Sequence, residues 1–165
     1  MTSFDPTAIF RSLAAHDVRY VLIGGLAATL HGSPLRTGDA DICPARDIDT
    51  LTRLATALED LDARIFAPDA PDGVRFACDA KFLSGVELIN LITRFGPVDV
   101  SFKPAGFTGY EELFTNAIIY EVDGVSVTVA SLDDVIRSKR AANRSKDRAA
   151  LPELEALSEE IRRRR

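Results

Sequence analysis

Hydrophobic positions in the first part of the chain alternate between helical and strand-like spacing. After Asp5, apolar residues recur every three or four positions, which predicts a first helix over about residues 6–15. The short run 19–23 is rich in residues that favour strands, and it stops at two consecutive glycines. The pattern that follows predicts a short helix that ends at Gly32.

The next segments continue this alternation. Polar and apolar residues alternate over 39–43, which predicts a second strand. Leucines at helical spacing after Asp47 predict a strongly amphipathic helix. Residues 67–74 contain two prolines and a glycine, and we expect them to form a loop.

The second half of the chain contains two pairs of closely spaced strand-like runs. We predict strands over residues 87–93, 97–102, 118–122 and 125–130. Asp123 and Gly124, between the last two runs, form the strongest short hairpin motif in the chain. A helix is expected over 110–117, and Ser131 is expected to cap another that ends near Asn143. A final helical segment has apolar residues on one face, although Pro152 leaves its start undefined.

Adjacent strands mixed with helices favour an α+β fold over a doubly wound parallel one. We therefore predict a small mixed β-sheet that is flanked by helices and carries a C-terminal helical segment. The chain has 165 residues, which is the length of a single domain. We expect a core over residues 1–130 and C-terminal helices over 131–165 that pack on it and complete it.

Composition is that of an ordinary globular protein, with 46% hydrophobic and 27% charged residues. The net charge of −5 is unevenly distributed, because residues 137–165 hold ten basic and five acidic groups. This basic end indicates either a polyanion-binding surface or a solvated helix with an arginine terminus, and composition does not separate the two.

Composition also argues against membrane insertion, export, a disulfide framework and a zinc site. The apolar runs are too short to span a bilayer, so we expect no membrane partner. The N-terminal residues MTSFDPTAIF carry an acid where an export signal would carry Lys or Arg. Two cysteines (Cys43 and Cys78) and two distant histidines (His16 and His31) favour neither a disulfide framework nor a zinc cluster. We expect a cytoplasmic protein.

The residues most suggestive of chemistry lie at the end of the first strand and on the second strand. Gly24 and Gly25 lie where a strand turns into a helix, so that a phosphate could approach the backbone closely. Asp39 and Asp41 lie on one face of the second strand, since strand side chains alternate. Two carboxylates this close repel unless a cation neutralises them, and their hard oxygen atoms suit Mg²⁺ or Mn²⁺.

A third carboxylate belongs to Asp99, in a strand that otherwise consists of valine and phenylalanine. If that strand pairs beside the Asp39–Asp41 strand, three acids converge and can hold two divalent cations for displacement at phosphorus. Asp99 could instead form a structural ion pair. Asp47 and Asp49 repeat the Asp-x-Asp pattern, and we interpret them as acids at a helix start.

Three segments in this order resemble the DNA polymerase β-like nucleotidyltransferase superfamily. They are GGLAATLHGSPLRTGDADI, the strand VDVSF and SLDDVIRSKRAANRSKDRAALPEL, and together they touch most of the chain from about residue 20 to residue 154. The first and third segments are similar to the minimal nucleotidyltransferases of toxin–antitoxin and abortive-infection systems, the AbiEii and MenT type. The chain departs from many relatives at Gly25, where they carry serine, and at Ala40, where a branched residue is usual.

The resemblance implies a role for each of ten residues. Asp39, Asp41 and Asp99 would ligate two Mg²⁺ or Mn²⁺ ions, and Asp99 would also accept the proton of the attacking hydroxyl. The residues implied to bind the nucleotide are Gly24, Gly25, Arg36, Thr37, Lys139, Lys146 and Asp147. From the residues alone, Lys139 is equally well explained as an exposed helix residue.

The function implied is transfer of NMP from an NTP to an acceptor hydroxyl, with release of pyrophosphate. The implied acceptor is an RNA 3′ end such as that of tRNA, or a protein hydroxyl. The same resemblance implies the toxin of a toxin–antitoxin pair, with a cognate antitoxin as partner. Two alternatives stay open: an inactive binding module that keeps the fold, and a metal-dependent phosphodiesterase that uses the same acids without an NTP.

Overall fold

The computed structural model describes residues 3–165, which form seven helices and eight strands. Met1 and Thr2, the first residues of the segment on which the export expectation rests, lie outside the described residues. The helices are α1 (Pro6–Ala15), α2 (Gly24–Leu30), α3 (Ile48–Asp60), α4 (Ala80–Ser84), α5 (Tyr110–Thr115), α6 (Leu132–Ala142) and α7 (Ser145–Arg163). The strands are β1 (Tyr20–Ile23), β2 (Ala40–Pro44), β3 (Arg64–Ala67), β4 (Ala70–Val74), β5 (Leu88–Thr93), β6 (Gly96–Ser101), β7 (Ile118–Val122) and β8 (Val125–Val129).

Side-chain caps start the helices where the sequence predicts them. The carboxylate of Asp5 accepts a hydrogen bond from the backbone N–H of Ala8 at the start of α1. Asp47 does the same for Thr50 at the start of α3, and the hydroxyl of Ser131 accepts from the N–H of Asp134 in α6. These bonds satisfy backbone donors that the first helical turn leaves free. The interpretation of Asp47 as a helix-capping acid is confirmed.

All eight strands belong to one mixed sheet in the order β4-β3-β5-β6-β2-β1-β8-β7. β2 pairs antiparallel with β1 and parallel with β6, while the hairpins β5–β6 and β7–β8 are antiparallel. The predicted α+β fold with a mixed sheet is confirmed, although the sheet is larger than expected. The two parallel contacts, β2–β6 and β1–β8, join segments that are far apart in the chain.

The predicted loop at 67–74 is wrong, because β3 and β4 form an antiparallel hairpin there. Pro71 and Gly73 obscured it, since both weaken a strand pattern. They are tolerated because β4 is an edge strand, where a missing N–H and an absent side chain cost little. Helix α4 was likewise not predicted, and its five residues are too few for a clear period.

The last helix runs continuously from Ser145 to Arg163 and contains Pro152 in its interior. Its start is fixed by Asp147 in the first turn, whose carboxylate accepts a hydrogen bond from the backbone N–H of Arg144. Leu154 is fully buried in the common hydrophobic core of the chain. Residues 131–165 are therefore attached to the core by apolar contacts as well as by the chain.

One face of the sheet near β5 is packed and the other is open. In β5, Ile89 and Leu91 are buried, whereas the alternating residues Leu88 and Asn90 are exposed. This alternation is typical of a sheet with one solvated face. The open face continues across β6 to β2, so that it leaves room for ligands beside these central strands.

Within residues 3–165, no helix combines the length and the apolar character that crossing a membrane requires.

We expect Leu154→Ala to lower the free energy of unfolding by about 2–5 kcal/mol, since it removes a fully buried side chain. Chemical denaturation monitored by circular dichroism measures this loss. Glu153→Ala, at an exposed position of the same helix, is the matched control and should change stability by less than about 0.5 kcal/mol. A second, separate unfolding transition in either variant would contradict the prediction that residues 131–165 complete a single domain.

Candidate functional site

Three carboxylates converge at the centre of the sheet. Asp41 of β2 lies directly opposite Asp99 of β6 in the parallel register, and Asp39 lies immediately before β2. One carboxylate oxygen of each residue lies within 4.8 Å of those of the other two. The sequence-based prediction depended on these two strands being neighbours, and the structure brings all three acids together.

Strand alternation explains why these acids face the open side. Ala40 and Ile42 on β2 are fully buried, as is Val100 on β6. The apolar residues turn into the core, and the side chains between them must therefore point the other way. The three carboxylates are only partly exposed, because the walls of a cleft rise around them.

The electrostatics of this cluster disfavour three free negative charges. Burial, followed by the charges of Asp39 and Asp99, raises the pKa of Asp41 to about 8. Burial and the charge of Asp39 also raise the pKa of Asp99 above its ordinary value. The positive charge of Lys146 lowers the pKa of both groups, but by less than burial raises it.

The donor set fits a hard divalent cation. Three carboxylates that face one another supply oxygen ligands and the negative charge that Mg²⁺ or Mn²⁺ requires. Among the salt bridges of residues 3–165, none involves Asp39, Asp41 or Asp99. The acids are therefore not committed to arginine or lysine partners, and a cation would relieve their repulsion.

Gly24 makes the close approach of the first turn to these acids possible. Its φ of +69° lies in the left-handed region, which residues with a side chain rarely adopt. A Cβ at this position would lie 2.1 Å from Oδ2 of Asp41, so the carboxylate occupies the space that a side chain would need. A Cβ at Gly25 would lie 3.2 Å from Oγ1 of Thr37, whose hydroxyl donates to Oδ1 of Asp39 at 3.0 Å.

A cleft of about 1060 Å³ opens over the three acids. All ten residues singled out from the sequence line it, although they come from five separate parts of the chain. They are Gly24, Gly25, Arg36, Thr37, Asp39, Asp41, Asp99, Lys139, Lys146 and Asp147.

A basic cluster, which consists of Lys139, Arg144 and Lys146, also lines the cleft. The carboxylate of Asp147 is fully buried and accepts from Nε of Arg144 at 2.7 Å, with Nζ of Lys139 at 3.6 Å. Burial raises the pKa of Asp147, but the hydrogen bonds and charge of Arg144 outweigh it and hold this pKa below its ordinary value. Asp147 thus holds the side chains of Arg144 and Lys139 at the edge of the cleft.

Three polar residues that line the cleft were not singled out from the sequence: Arg144, Asn90 and Lys103. The hydrogen bond to Asp147 chiefly raises the pKa of Arg144, and the charges of Asp41 and Asp39 add to this effect. Its position two residues before Lys146 could have drawn attention to it. Asn90 pairs opposite Asp99 on the neighbouring strand β5, which only the sheet register reveals. Lys103 follows β6 and also lines the cleft.

No protein-family model and no curated protein matches this sequence. Solved structures do match. The lincosamide antibiotic adenylyltransferase LnuA, with lincomycin bound, has a TM-score of 0.60 and 15% identity, over 92% of this chain and 95% of its own. A candidate nucleotidyltransferase from Thermotoga maritima has a TM-score of 0.58 and 17% identity, over 96% and 97%. The complex of ANT(2″)-Ia, an antibiotic-resistance factor, with adenylyl-2″-tobramycin has a TM-score of 0.53 and 14% identity, over 96% and 95%.

At these identities the likeness concerns the fold. The chain has the fold of nucleotidyltransferases, over nearly its whole described length. This confirms the fold that the three sequence segments indicated.

We expect Asp41→Asn to stabilise the metal-free protein while abolishing its stabilisation by Mn²⁺. An aspartate titrates near 3.9 when unfolded, whereas the pKa of Asp41 in the fold is about 8. The charged form is thus disfavoured in the fold, and wild-type stability falls as pH rises between these two values. In chelator at pH 8 the variant should exceed the wild type by at least about 1 kcal/mol, and the gap should close towards pH 4.

Melting temperatures across this pH range, with EDTA or with Mn²⁺, measure both effects. Mn²⁺ should raise the melting temperature of the wild type only, because a ligand stabilises the state that binds it. An equal rise in Asp41→Asn would show that the cation binds elsewhere.

We expect Gly24→Ala to weaken Mn²⁺ binding and to lower the free energy of unfolding by about 1–3 kcal/mol, because it strains the backbone and displaces the Asp41 carboxylate. Gly38→Ala is the matched control, since a Cβ there meets nothing within 4 Å. Calorimetric Mn²⁺ titration and chemical denaturation test the pair. Equal effects of the two substitutions would contradict the role given to Gly24.

Proposed function

We propose that this protein is a metal-dependent nucleotidyltransferase, which moves NMP from an NTP to an acceptor hydroxyl. A single observation carries the proposal: Asp39, Asp41 and Asp99 face one another at the floor of a cleft that is bordered by the glycine turn and the basic cluster. Acids that could hold divalent cations thus lie next to groups that suit a triphosphate.

The chain's own residues have separate tasks in this reaction. The backbone at Gly24 and Gly25 lets phosphate oxygens approach where a side chain would block them. Lys139, Arg144 and Lys146, which line the same cleft, offset the charge of the triphosphate. Asp39, Asp41 and Asp99 would hold the divalent cations, which supply Lewis-acid polarisation of the phosphoryl oxygens when bound.

The reaction is a displacement at the α-phosphorus. A lone pair of the acceptor oxygen forms the new O–P bond, and the bond between the α-phosphorus and its bridging oxygen to the β-phosphorus breaks. Pyrophosphate leaves with those electrons, and Asp99 takes the hydroxyl proton. Most of the acceleration comes from positioning and charge neutralisation.

Two alternatives use the same fold differently. A phosphodiesterase would need the acids but no binding site for a triphosphate. The glycine turn and the basic cluster, which suit a triphosphate, therefore favour transfer of NMP. An inactive binding module would have no need to retain three mutually repelling acids, which lower stability when no cation is bound.

The acceptor hydroxyl is not defined by the cleft. The antibiotic adenylyltransferases of the same fold make a small molecule one candidate. An RNA 3′ end or a protein hydroxyl, an AbiEii- or MenT-type toxin role and a cognate antitoxin, all implied by the sequence resemblance, stay predictions. The basic C-terminal end adds little support for RNA, because several of its arginines pair with carboxylates. These pairs are Arg140–Glu155, Arg162–Asp133, Arg163–Glu159 and Arg164–Glu160.

We expect label transfer from each α-³²P-labelled NTP in the presence of Mg²⁺ or Mn²⁺, with release of pyrophosphate. Total RNA, the protein itself, lincomycin and tobramycin are the acceptors to compare. Asp39→Asn should lower the transfer rate at least about 100-fold, because it removes a ligand from the reacting centre. Asp49→Asn is the matched control, since it changes the second Asp-x-Asp pair, which lies in the first turn of α3.

Equal loss in both aspartate variants would contradict the assignment of the site. NTP-independent cleavage of phosphodiesters would favour the phosphodiesterase, whereas an absence of both nucleotide and Mn²⁺ binding would favour the inactive module.

A further inference from the structure

A second groove, of about 1110 Å³, lies on the open sheet face beside the cleft described above. We call it the β3–β5 groove, since its walls come mainly from those strands and the β3–β4 hairpin. It shares four residues with the first cleft: Gly38, Asp39, Asn90 and Asp99. Asp41 and the basic cluster line only the first cleft. The two spaces therefore meet at two of the three acids.

This arrangement separates the two sides of an in-line displacement. The attacking and leaving oxygens lie on opposite sides of the α-phosphorus. The basic cluster and the glycine turn, which suit the triphosphate and hence the leaving pyrophosphate, lie in the first cleft. The attacking hydroxyl must then come from the other side of the shared acids, where the β3–β5 groove opens.

The two spaces differ in charge. Apart from the shared acids, the first cleft has five cationic residues against three acids, whereas the groove has two of each. In the groove, Arg64 lies 3.5 Å from Asp62, so Arg94 is its one cation without a carboxylate partner among residues 3–165. Asp72 is exposed at the rim. A nucleic acid would require a run of cations for its phosphates, which this groove lacks.

The groove has an apolar floor instead. The side chain of Phe66 on β3 is 53% exposed and lines the groove, so it presents an aromatic surface there. Ile92, Pro71 and Pro97 also line the groove. An exposed aromatic face with a few polar groups beside it is typical of a small-molecule site.

We propose that the β3–β5 groove binds the acceptor, and that this acceptor is an uncharged or cationic, hydroxyl-bearing small molecule with an apolar face that packs on Phe66. The proposal rests on the proposed function and specifies its acceptor. Asp72 favours a cationic group at the rim, while Asn90 lies where the acceptor hydroxyl reaches the shared acids.

Steady-state transfer from ATP tests this, with tobramycin, lincomycin and tRNA as acceptors and wild type, Phe66→Ala and Asp72→Lys as enzymes. Phe66→Ala should raise the KM of the small acceptor about fivefold, since an aromatic contact of this kind contributes about 1 kcal/mol. Its kcat should change less than twofold. Asp72→Lys should raise the KM of a cationic small acceptor and lower that of tRNA.

Two matched controls accompany these variants. Phe114→Ala removes a phenylalanine of the same 53% exposure that lines neither space. Asp69→Lys makes the same charge reversal at an exposed position of the hairpin that also lines neither space. Neither control should alter the acceptor KM.

A separate measurement distinguishes the failure of this proposal from failure of the proposed function. Binding of a non-hydrolysable ATP analogue with Mn²⁺ should be equal in wild type and Phe66→Ala. Two outcomes overturn the acceptor proposal while the wild type still binds nucleotide. One is transfer to tRNA alone, and the other is a KM for the small acceptor that Phe66→Ala leaves unchanged. Absence of nucleotide binding in the wild type overturns the proposed function itself.

Discussion

Mutual repulsion among three carboxylates is the constraint around which the central part of this fold is arranged. Asp41 and Asp99 face one another across the parallel pair β2–β6, with Asp39 beside them. Bringing the three carboxylates together costs free energy of folding, and burial adds to this cost because it disfavours their charged forms. Other interactions in the fold must therefore compensate. The apolar neighbours on each strand, which are buried in the core, supply that support.

The same constraint determines where positive charge lies. The cations of the basic cluster approach the acids without forming salt bridges to them, since the buried carboxylate of Asp147 holds Arg144 and Lys139 at the cleft wall. A direct bridge from either cation would neutralise the acids and remove the site that a metal ion needs. The buried carboxylate of Asp147, in the first turn of α7, therefore keeps both cations near the acids but available to a ligand.

Open space on the sheet face follows from the edge hairpin. β3 and β4 extend the sheet beyond β5, and the exposed alternating residues of β5 leave this extension uncovered. The uncovered face and the cleft beside the basic cluster meet at Asp39 and Asp99, which line both spaces. A transfer reaction with two substrates would need two adjoining binding spaces, whereas hydrolysis would need one binding space and access for water.

The sequence by itself determined the elements whose patterns are local. Caps at Asp5, Asp47 and Ser131, the periodicity of α3 and the hairpin at Asp123 follow from interactions over a few residues, and the structure confirms them. Strand alternation likewise determined that Asp39 and Asp41 share a face.

Only the tertiary structure decided which strands are neighbours. The pairing of β2 with β6 joins residues nearly sixty positions apart, and closing so long a loop depends on the whole fold rather than on any local sequence pattern. It alone revealed the β3–β4 hairpin, whose edge position makes Pro71 and Gly73 tolerable. It also placed Asn90 opposite Asp99 and Arg144 against Asp147, contacts that depend on sheet register and helix packing rather than on the residues' own preferences.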